Sequence, residues 1–332
     1  MKLKPFRPLL ALIAAASLVA CGGGGGGSTP TVTFPSEIRV GTASAGADMT
    51  LANFPELSTD AIEALMSAVG GDVVTAQPFG ADRSRAASLG RWAAARSASY
   101  LVAGRRAQAQ AIASETFQCA GGGTLTVTVD DADNNNRLSA GDSASFAFAN
   151  CIEPVGAPAI NGSFALVFNV ILLDSQQNPT AFDASVTMTA LSVAGLGSLD
   201  GSARLWSAPV SGGERSFVRY QDMVSVTNTV SGEKVAVLNF DVDETIATTT
   251  LLRLNGSLQL GSDVYAIAQV EPFDTATGDP STGQLRLTDV QGDELLITAR
   301  GTLVDRDFFL VTNTTTTPDA SIIGTPWSDF RQ

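Results

Sequence analysis

The stretch Asp131-Ala-Asp133-Asn-Asn135-Asn-Arg137-Leu-Ser139-Ala-Gly-Asp142 carries side-chain oxygens at positions 1, 3, 5, 9 and 12 of a twelve-residue loop. The backbone carbonyl of Arg137 falls at position 7. This spacing wraps a chain around calcium, a hard cation that takes six to eight oxygen ligands. Leu138, at position 8, is expected to face inward. Two residues depart from the usual pattern. Asn136 stands at position 6 in place of Gly, and Asn enters the left-handed region comparatively easily. Asp142 stands at position 12 in place of Glu, which shortens its reach. Asp131, Asp133, Asn135, Arg137, Ser139 and Asp142 are therefore the candidate ligands of a structural calcium ion. The competing reading is an Asx-rich turn that only solubilises a hairpin.

Cys119 and Cys151 bracket this loop. On either side of it, apolar residues alternate with polar ones: Leu125, Val127 and Val129, then Phe146 and Phe148. Pairing 124–130 antiparallel with 143–149 makes facing residue numbers total about 273, and the two cysteines total 270. They then lie almost opposite each other just past the hairpin's open end, where a disulfide is expected if the chain is exported. Such a bridge contributes on the order of 3–4 kcal/mol by loop entropy.

Other chemistry is poorly supplied. The 332 residues include no His, which excludes Ser–His and Cys–His nucleophile pairs and His acid–base catalysis. Twenty Lys and Arg stand against 33 Asp and Glu, a formal charge of −13, so the chain is a poor match for nucleic-acid phosphates. Ser231-Gly-Glu-Lys234 fits a serine–lysine pattern, but it sits in an expected turn and lacks the companion motifs. The acids at Asp241, Asp243, Glu244, Asp293 and Glu294 are expected to lie in solvated turns. No enzyme activity is expected.

The first eight residues carry Lys2, Lys4 and Arg7, followed by an apolar run, Leu9–Ala20. Twelve residues are too few to cross a bilayer, which takes about 20, and the pattern is that of a secretory leader. It ends Leu18-Val19-Ala20-Cys21. This box, followed by the Gly22–Gly27 run, resembles that of bacterial lipoproteins. The resemblance implies that residues 1–20 are removed and that Cys21 is acylated and becomes the first residue. In that class Gly22, in place of Asp, implies transfer to the outer membrane.

Beyond the leader, residues 21–50 read as a Gly-rich tether and linker. Residues 51–117 read as a helical or mixed segment. Pro55–Val69 has a helix start at Ser58-Thr59-Asp60, a stripe of Ile62, Leu65, Met66 and Val69, and a stop at Gly70-Gly71. An Ala-rich helix is expected from Asp82 to about Ser99, with Leu89, Trp92, Ala93 and Arg96 on one face. Six Arg and no acid lie between Arg83 and Arg106. That helix either meets anionic lipid or docks on an acidic β-domain.

From 118 to 332 the period is two. Phe164, Leu166, Phe168, Val170 and Leu172 form one expected face; Val264, Ala266, Ala268 and Val270 form another. Turns are expected at 178–179, 211–213, 278–280 and 291–293. About eleven to thirteen short strands at this spacing indicate one large antiparallel sheet, a sandwich or an open or closed barrel. The mainly-β class therefore includes an N-terminal Ala-rich helical segment. A form [IL]-[ND]-G-S-x-x-L recurs at Ile160, Leu199 and Leu254 and is expected where a turn feeds a strand, with Gly relieving a tight backbone. Aromatic residues, at 7%, are too few for the girdles of a transmembrane barrel.

The series Cys-x-Gly-Gly-Gly, Thr/Val strand, Asp-rich loop, Phe strand, Asn-Cys and Asn-Gly-Ser resembles a group of uncharacterised lipoproteins of Gram-negative bacteria. Gly283-Gln284-Leu285-Arg286-Leu287 and Trp327 extend the likeness over about 110–330. The resemblance implies an envelope location, anchored in the outer membrane by lipid. The expected role is structural or interactive, with an envelope protein as partner; carriage of lipid or another apolar ligand in a barrel-like cavity is the alternative.

Overall fold

Alternating hydrophobicity along most of the chain becomes a single antiparallel sheet in the computed structural model. The structure describes residues 31–44, 46–70, 93–94, 97, 112–152, 158–193, 197–221, 224–227, 234–276, 279–313 and 316–330. The chain divides into two compact units, Met1–Pro30 and Thr31–Gln332, and the second holds all the described residues. The leader, Cys21 and the Gly-rich tether lie outside them.

Helix α1 (Phe54–Gly70) comes first. The strands follow as β1 (Ile112–Gln118), β2 (Thr124–Asp130), β3 (Ser143–Cys151), β4 (Ile160–Leu173), β5 (Pro179–Val193), β6 (Gly197–Val210), β7 (Gly213–Tyr220) and β8 (Val224–Thr227). Then come β9 (Lys234–Ile246), β10 (Thr250–Leu260), β11 (Asp263–Asp274), β12 (Thr282–Thr288), β13 (Glu294–Arg300), β14 (Leu303–Phe309) and β15 (Ala320–Pro326). A short 3-10 turn, η1 (Trp327–Phe330), closes the series. Strands pair with their sequence neighbours in a meander, except that β7 and the short β8 share the place between β6 and β9. The sheet is not closed: β1 and β15 are its two edges. It has more strands than the spacing suggests, and it begins at Ile112, ahead of the expected 118.

One face of the sheet is apolar and forms a continuous core from Leu125 to Phe330, joined by Met49, Phe54, Leu57 and Ile62. Helical Ala93, Ala94 and Ser97 are fully buried there too, which favours docking over lipid contact for that face of the Ala-rich segment. Leu89, Trp92 and Arg96 lie outside the described residues.

The expected faces are corrected at two places. In β4 the register shifts between Phe168 and Val170. The slip turns Val170 and Leu172 off the core face, and Ile171 and Leu173 pack against it in their stead. In β11 both parities are apolar, and the bulkier Tyr265 and Ile267 take the core while Val270 is exposed.

All three recurring Asn/Asp-Gly pairs sit at β-bulges; the first does open its strand, following Ile160 at the start of β4, whereas those at Asp200 and Asn255 lie further inside β6 and β10. Gly162, Gly201 and Gly256 have φ of +87°, +136° and +136°. Their opposing strands carry an extra residue in the left-handed region: Asn150, Ala190 and Asn239. The preceding side chain accepts an N–H that the bulge leaves off the ladder. Asn161 Oδ1 accepts from Asn150 N at 2.8 Å, Asp200 Oδ1 from Ala190 N at 2.6 Å and Asn255 Oδ1 from Gln269 N at 3.1 Å. Bulges bend and twist a sheet.

Residues 34–44 and 46–49 form a strap across the outer, non-core face. Arg215 covers the Phe34 ring at 4.7 Å, and Arg219 donates to Glu37 O at 2.7 Å. Arg39 N donates to Asp241 Oδ2 at 2.9 Å, Thr42 N to Ser257 Oγ at 2.9 Å and Ser44 N to Val264 O at 3.0 Å. The strap then rounds the strand ends, where Met49 N donates to Asp289 Oδ2 at 2.8 Å. It enters the core through α1, with Phe54 stacked on Phe308. At the crossing of β10 a Cβ on Gly41 would lie 1.6 Å from Gly256 O. Only a backbone without a side chain passes there. Gly41→Ala is therefore expected to lift the strap, lower stability by about 1–3 kcal/mol and expose residues 36–44 to protease. Limited proteolysis with a melting curve checks this; an unchanged digestion pattern contradicts the crossing.

Candidate metal centre

The β2–β3 hairpin is fixed at both ends. Facing residues pair from Thr124↔Ala149 to Asp130↔Ser143. Beyond the open end Cys119 and Cys151 form a disulfide, with Cα atoms 5.4 Å apart. Backbone bonds from Gly121 N to Ile152 O and from Ile152 N to Gly122 O continue the pairing there, at 2.8 and 3.0 Å.

The closed end folds Asp131–Asp142 into a loop tied to β4. Gly141 N donates to Phe168 O at 2.7 Å, and Phe168 N donates to Asp142 O at 2.9 Å. Leu138 is buried in the core, and Asn136 takes the left-handed conformation with φ of 58°. Asp131, Asp133 and Asp142 bring carboxylate oxygens within 4.8 Å of one another, and this group could hold a metal ion. Asp131 and Asp142 are buried; Asp133 is exposed.

Backbone donors orient the carboxylates. Asn136 N donates to Asp131 Oδ2 at 2.6 Å and Asn135 N to Asp131 Oδ1 at 3.1 Å. Ser139 N donates to Asp142 Oδ2 at 2.7 Å, and Ala132 N to Asp142 Oδ1 at 2.9 Å. Ser139 Oγ reaches both Asp133 Oδ2 and Asp142 Oδ2, at 3.0 and 3.2 Å. Asn135 Nδ2 donates to Asp133 Oδ2 at 2.6 Å, while its Oδ1 accepts from Arg137 N at 2.6 Å. The Arg137 side chain turns away to Gln177. No Lys or Arg among the described residues pairs with the three carboxylates.

Burial pushes the Asp142 carboxyl above its ordinary value. The N–H donors of Ser139 and Ala132 work against this, and the Asp131 charge adds to it. At Asp133 burial also pushes upward, but hydrogen bonds from Asn135 N and Ser139 outweigh it and hold the carboxyl low. Two neighbouring acids without a cation repel each other. A bound cation would relieve that.

A second carboxylate group, Asp48, Asp289 and Asp293, lies at the other end of the strands. Asp289 Oδ1 accepts from the N–H groups of Gln291, Gly292 and Asp293, each at 2.9 Å. Asp293 Oδ1 accepts from Val311 N at 2.6 Å. The Asp289-x-x-Gly-Asp293 spacing was a legible turn, but Asp48 comes from the strap, far away in sequence.

The acids expected in solvated turns are largely buried. Asp241, Asp243 and Glu244 lie within β9, and cross-strand arginines neutralise the first two. Arg219 Nη2 lies 2.7 Å from Asp241 Oδ2, and Arg215 Nε lies 2.8 Å from Asp243 Oδ1. Asp293 is buried as well, whereas Glu294 stays partly exposed and pairs with Arg286. Lys234 opens β9; Ser231 lies outside the described residues.

No family model, no curated protein and no solved structure matches the chain.

A cation at the Asp131–Asp142 loop present at a hundredfold excess over its Kd stabilises the fold by about 2.7 kcal/mol, on the order of 5 °C in a body of this size. Chelator is expected to lower the melting temperature by that order, and Asp131→Ala to abolish the sensitivity. Melting curves with and without calcium check this; identical curves contradict a loop site.

Proposed function

We propose that the protein is an exported, lipid-anchored protein of the bacterial envelope, with a calcium-stabilised β-body and a structural or interactive role. The observation that carries this reading is the β2–β3 hairpin. Its open end is bridged by Cys119 and Cys151, and its closed end gathers Asp131, Asp133 and Asp142. Disulfides persist in oxidising compartments, and an oxygen-only ligand set of this density suits calcium. Both agree with the leader and with the Leu-Val-Ala-Cys21 box read in the sequence.

The resemblance to lipoproteins supplies the anchor: acylated Cys21, with the Gly-rich run that follows it in the sequence as its tether. Gly22 supports the outer membrane as destination. Several acyl chains make such an anchor stable, since each buried CH₂ contributes about 0.8 kcal/mol. The net charge of −13 suits a protein partner in the envelope better than a nucleic acid. The core face of the sheet is packed by Phe54, Leu57, Ile62, Ala93 and Ala94, which gives less support to carriage of a large apolar ligand.

The test is fractionation after expression in a Gram-negative host. The native chain is expected with the membranes, and Cys21→Ser in the soluble periplasmic fraction. Blocking lipoprotein signal peptidase is expected to leave the precursor uncleaved. A Cys21→Ser protein that still sediments with membranes, or processing that ignores the block, contradicts the anchor.

A further inference from the structure

On the described strands, arginines are neutralised by acids: Arg204, Arg215, Arg219, Arg253, Arg286 and Arg300 each pair with an Asp or Glu. Arg306 breaks the rule at a deeper place. It points from β14 into the core and is 5% exposed. Its Nη1 donates to Ser58 Oγ at 3.0 Å and Thr59 Oγ1 at 2.9 Å, and its Nη2 donates to Thr325 Oγ1 at 3.0 Å. The Phe330 ring lies 5.2 Å from its Cζ. Every one of these partners is uncharged.

Two donors at this place have no acceptor. Arg306 Nε is buried and unpaired, and so is Trp327 Nε1, on a residue 3% exposed. The two side chains flank the same ring, since Trp327 meets Phe330 edge-on at 6.4 Å. A guanidinium has five N–H donors and does not give up its proton at ordinary pH. Held in a core without a counter-charge it is costly, and burial draws its pKa below the ordinary value. Among the described residues the arrangement lacks a negative charge and acceptors for Arg306 Nε and Trp327 Nε1.

We propose that Arg306 is the receptor of an oxyanion site beneath η1, taking a carboxylate or phosphate group. The forked guanidinium matches both, Ser58, Thr59 and Thr325 hold the fork, and the unpaired Nε and Trp327 Nε1 are the free donors. η1 is the cover: it carries both Trp327 and Phe330, and Trp327 N is tied to Thr302 O at 3.2 Å. Both cover residues belong to this four-residue turn. The site is separate from the Asp131–Asp142 loop.

The full oxidised chain in a chloride buffer free of oxyanions is melted with inorganic phosphate, acetate or decanoate, each against chloride of equal ionic strength. At least one oxyanion is expected to raise the melting temperature by several degrees. Arg306→Met abolishes the rise, and Trp327→Phe reduces it. A response to phosphate or acetate assigns a free anion; a response to decanoate alone assigns the head of an amphiphile. If Arg306→Met does not fold, Arg306→Lys keeps the charge, loses the fork and is expected to weaken apparent affinity at least tenfold. No rise above chloride in the native chain overturns the site, as does a rise that Arg306→Met or Arg306→Lys leaves intact.

Discussion

A single meandering sheet must cover its one apolar face, and this constraint governs the rest of the molecule. Left in water, that face would cost about 25 cal/mol per Å². Phe54, Leu57 and Ile62 of α1, with Ala93, Ala94 and Trp327, join its core while the sheet edges stay open. The bulges at Gly162, Gly201 and Gly256 supply bends, each with a left-handed residue on the opposing strand and an Asn or Asp that caps a displaced N–H. The repeated Asn/Asp-Gly is thus a bending device placed within strands. Glycine is required at 162 and 256 because a Cβ would meet the neighbouring backbone at 2.0 and 2.6 Å.

The outer face is held differently. On β5, β6, β7 and β9, Asp183, Arg204, Arg215, Arg219, Asp241 and Asp243 form forked pairs over Trp206 and Phe217. Asp241 is fully shielded, with Arg219 about one-fifth exposed. Removing one partner of such a pair leaves a buried charge, a loss of about 3–5 kcal/mol. The same Asp241 also accepts the strap at Arg39 N, so the ion pair and the strap stabilise each other. Asp289 plays the equivalent part at the strand ends, where the strap turns into the core.

What was legible in the sequence was local. Period-two alternation marks strands and turns, and the β2–β3 register follows from residues that lie close together in the chain. Helix α1 reads from Pro55 to Val69 because its start, stripe and stop all lie within one segment. The loop Asp131–Asp142 was legible for the same reason, down to Asn136 in the left-handed region. Long-range features were not. The slip at Asn169 reverses which half of an apolar run faces inward, and nothing local signals it. Asp241 and Asp243 looked solvated because their arginines lie a strand away. Residues 34–44 and 46–49 look like linker because the strap uses backbone N–H groups and one Gly contact, neither of which has a composition. Arg306 reads as an ordinary strand residue until its partners are seen to be hydroxyls.

Next to the β1 edge lies a hairpin, β2–β3, locked by a covalent bond at one end and by converging carboxylates at the other. Native mass spectrometry of the oxidised chain titrated with calcium tests most directly what those carboxylates hold. The account predicts a retained calcium ion that disappears in Asp142→Asn while the disulfide stays intact. A spectrum with no retained ion, or with an ion that survives Asp142→Asn, contradicts it.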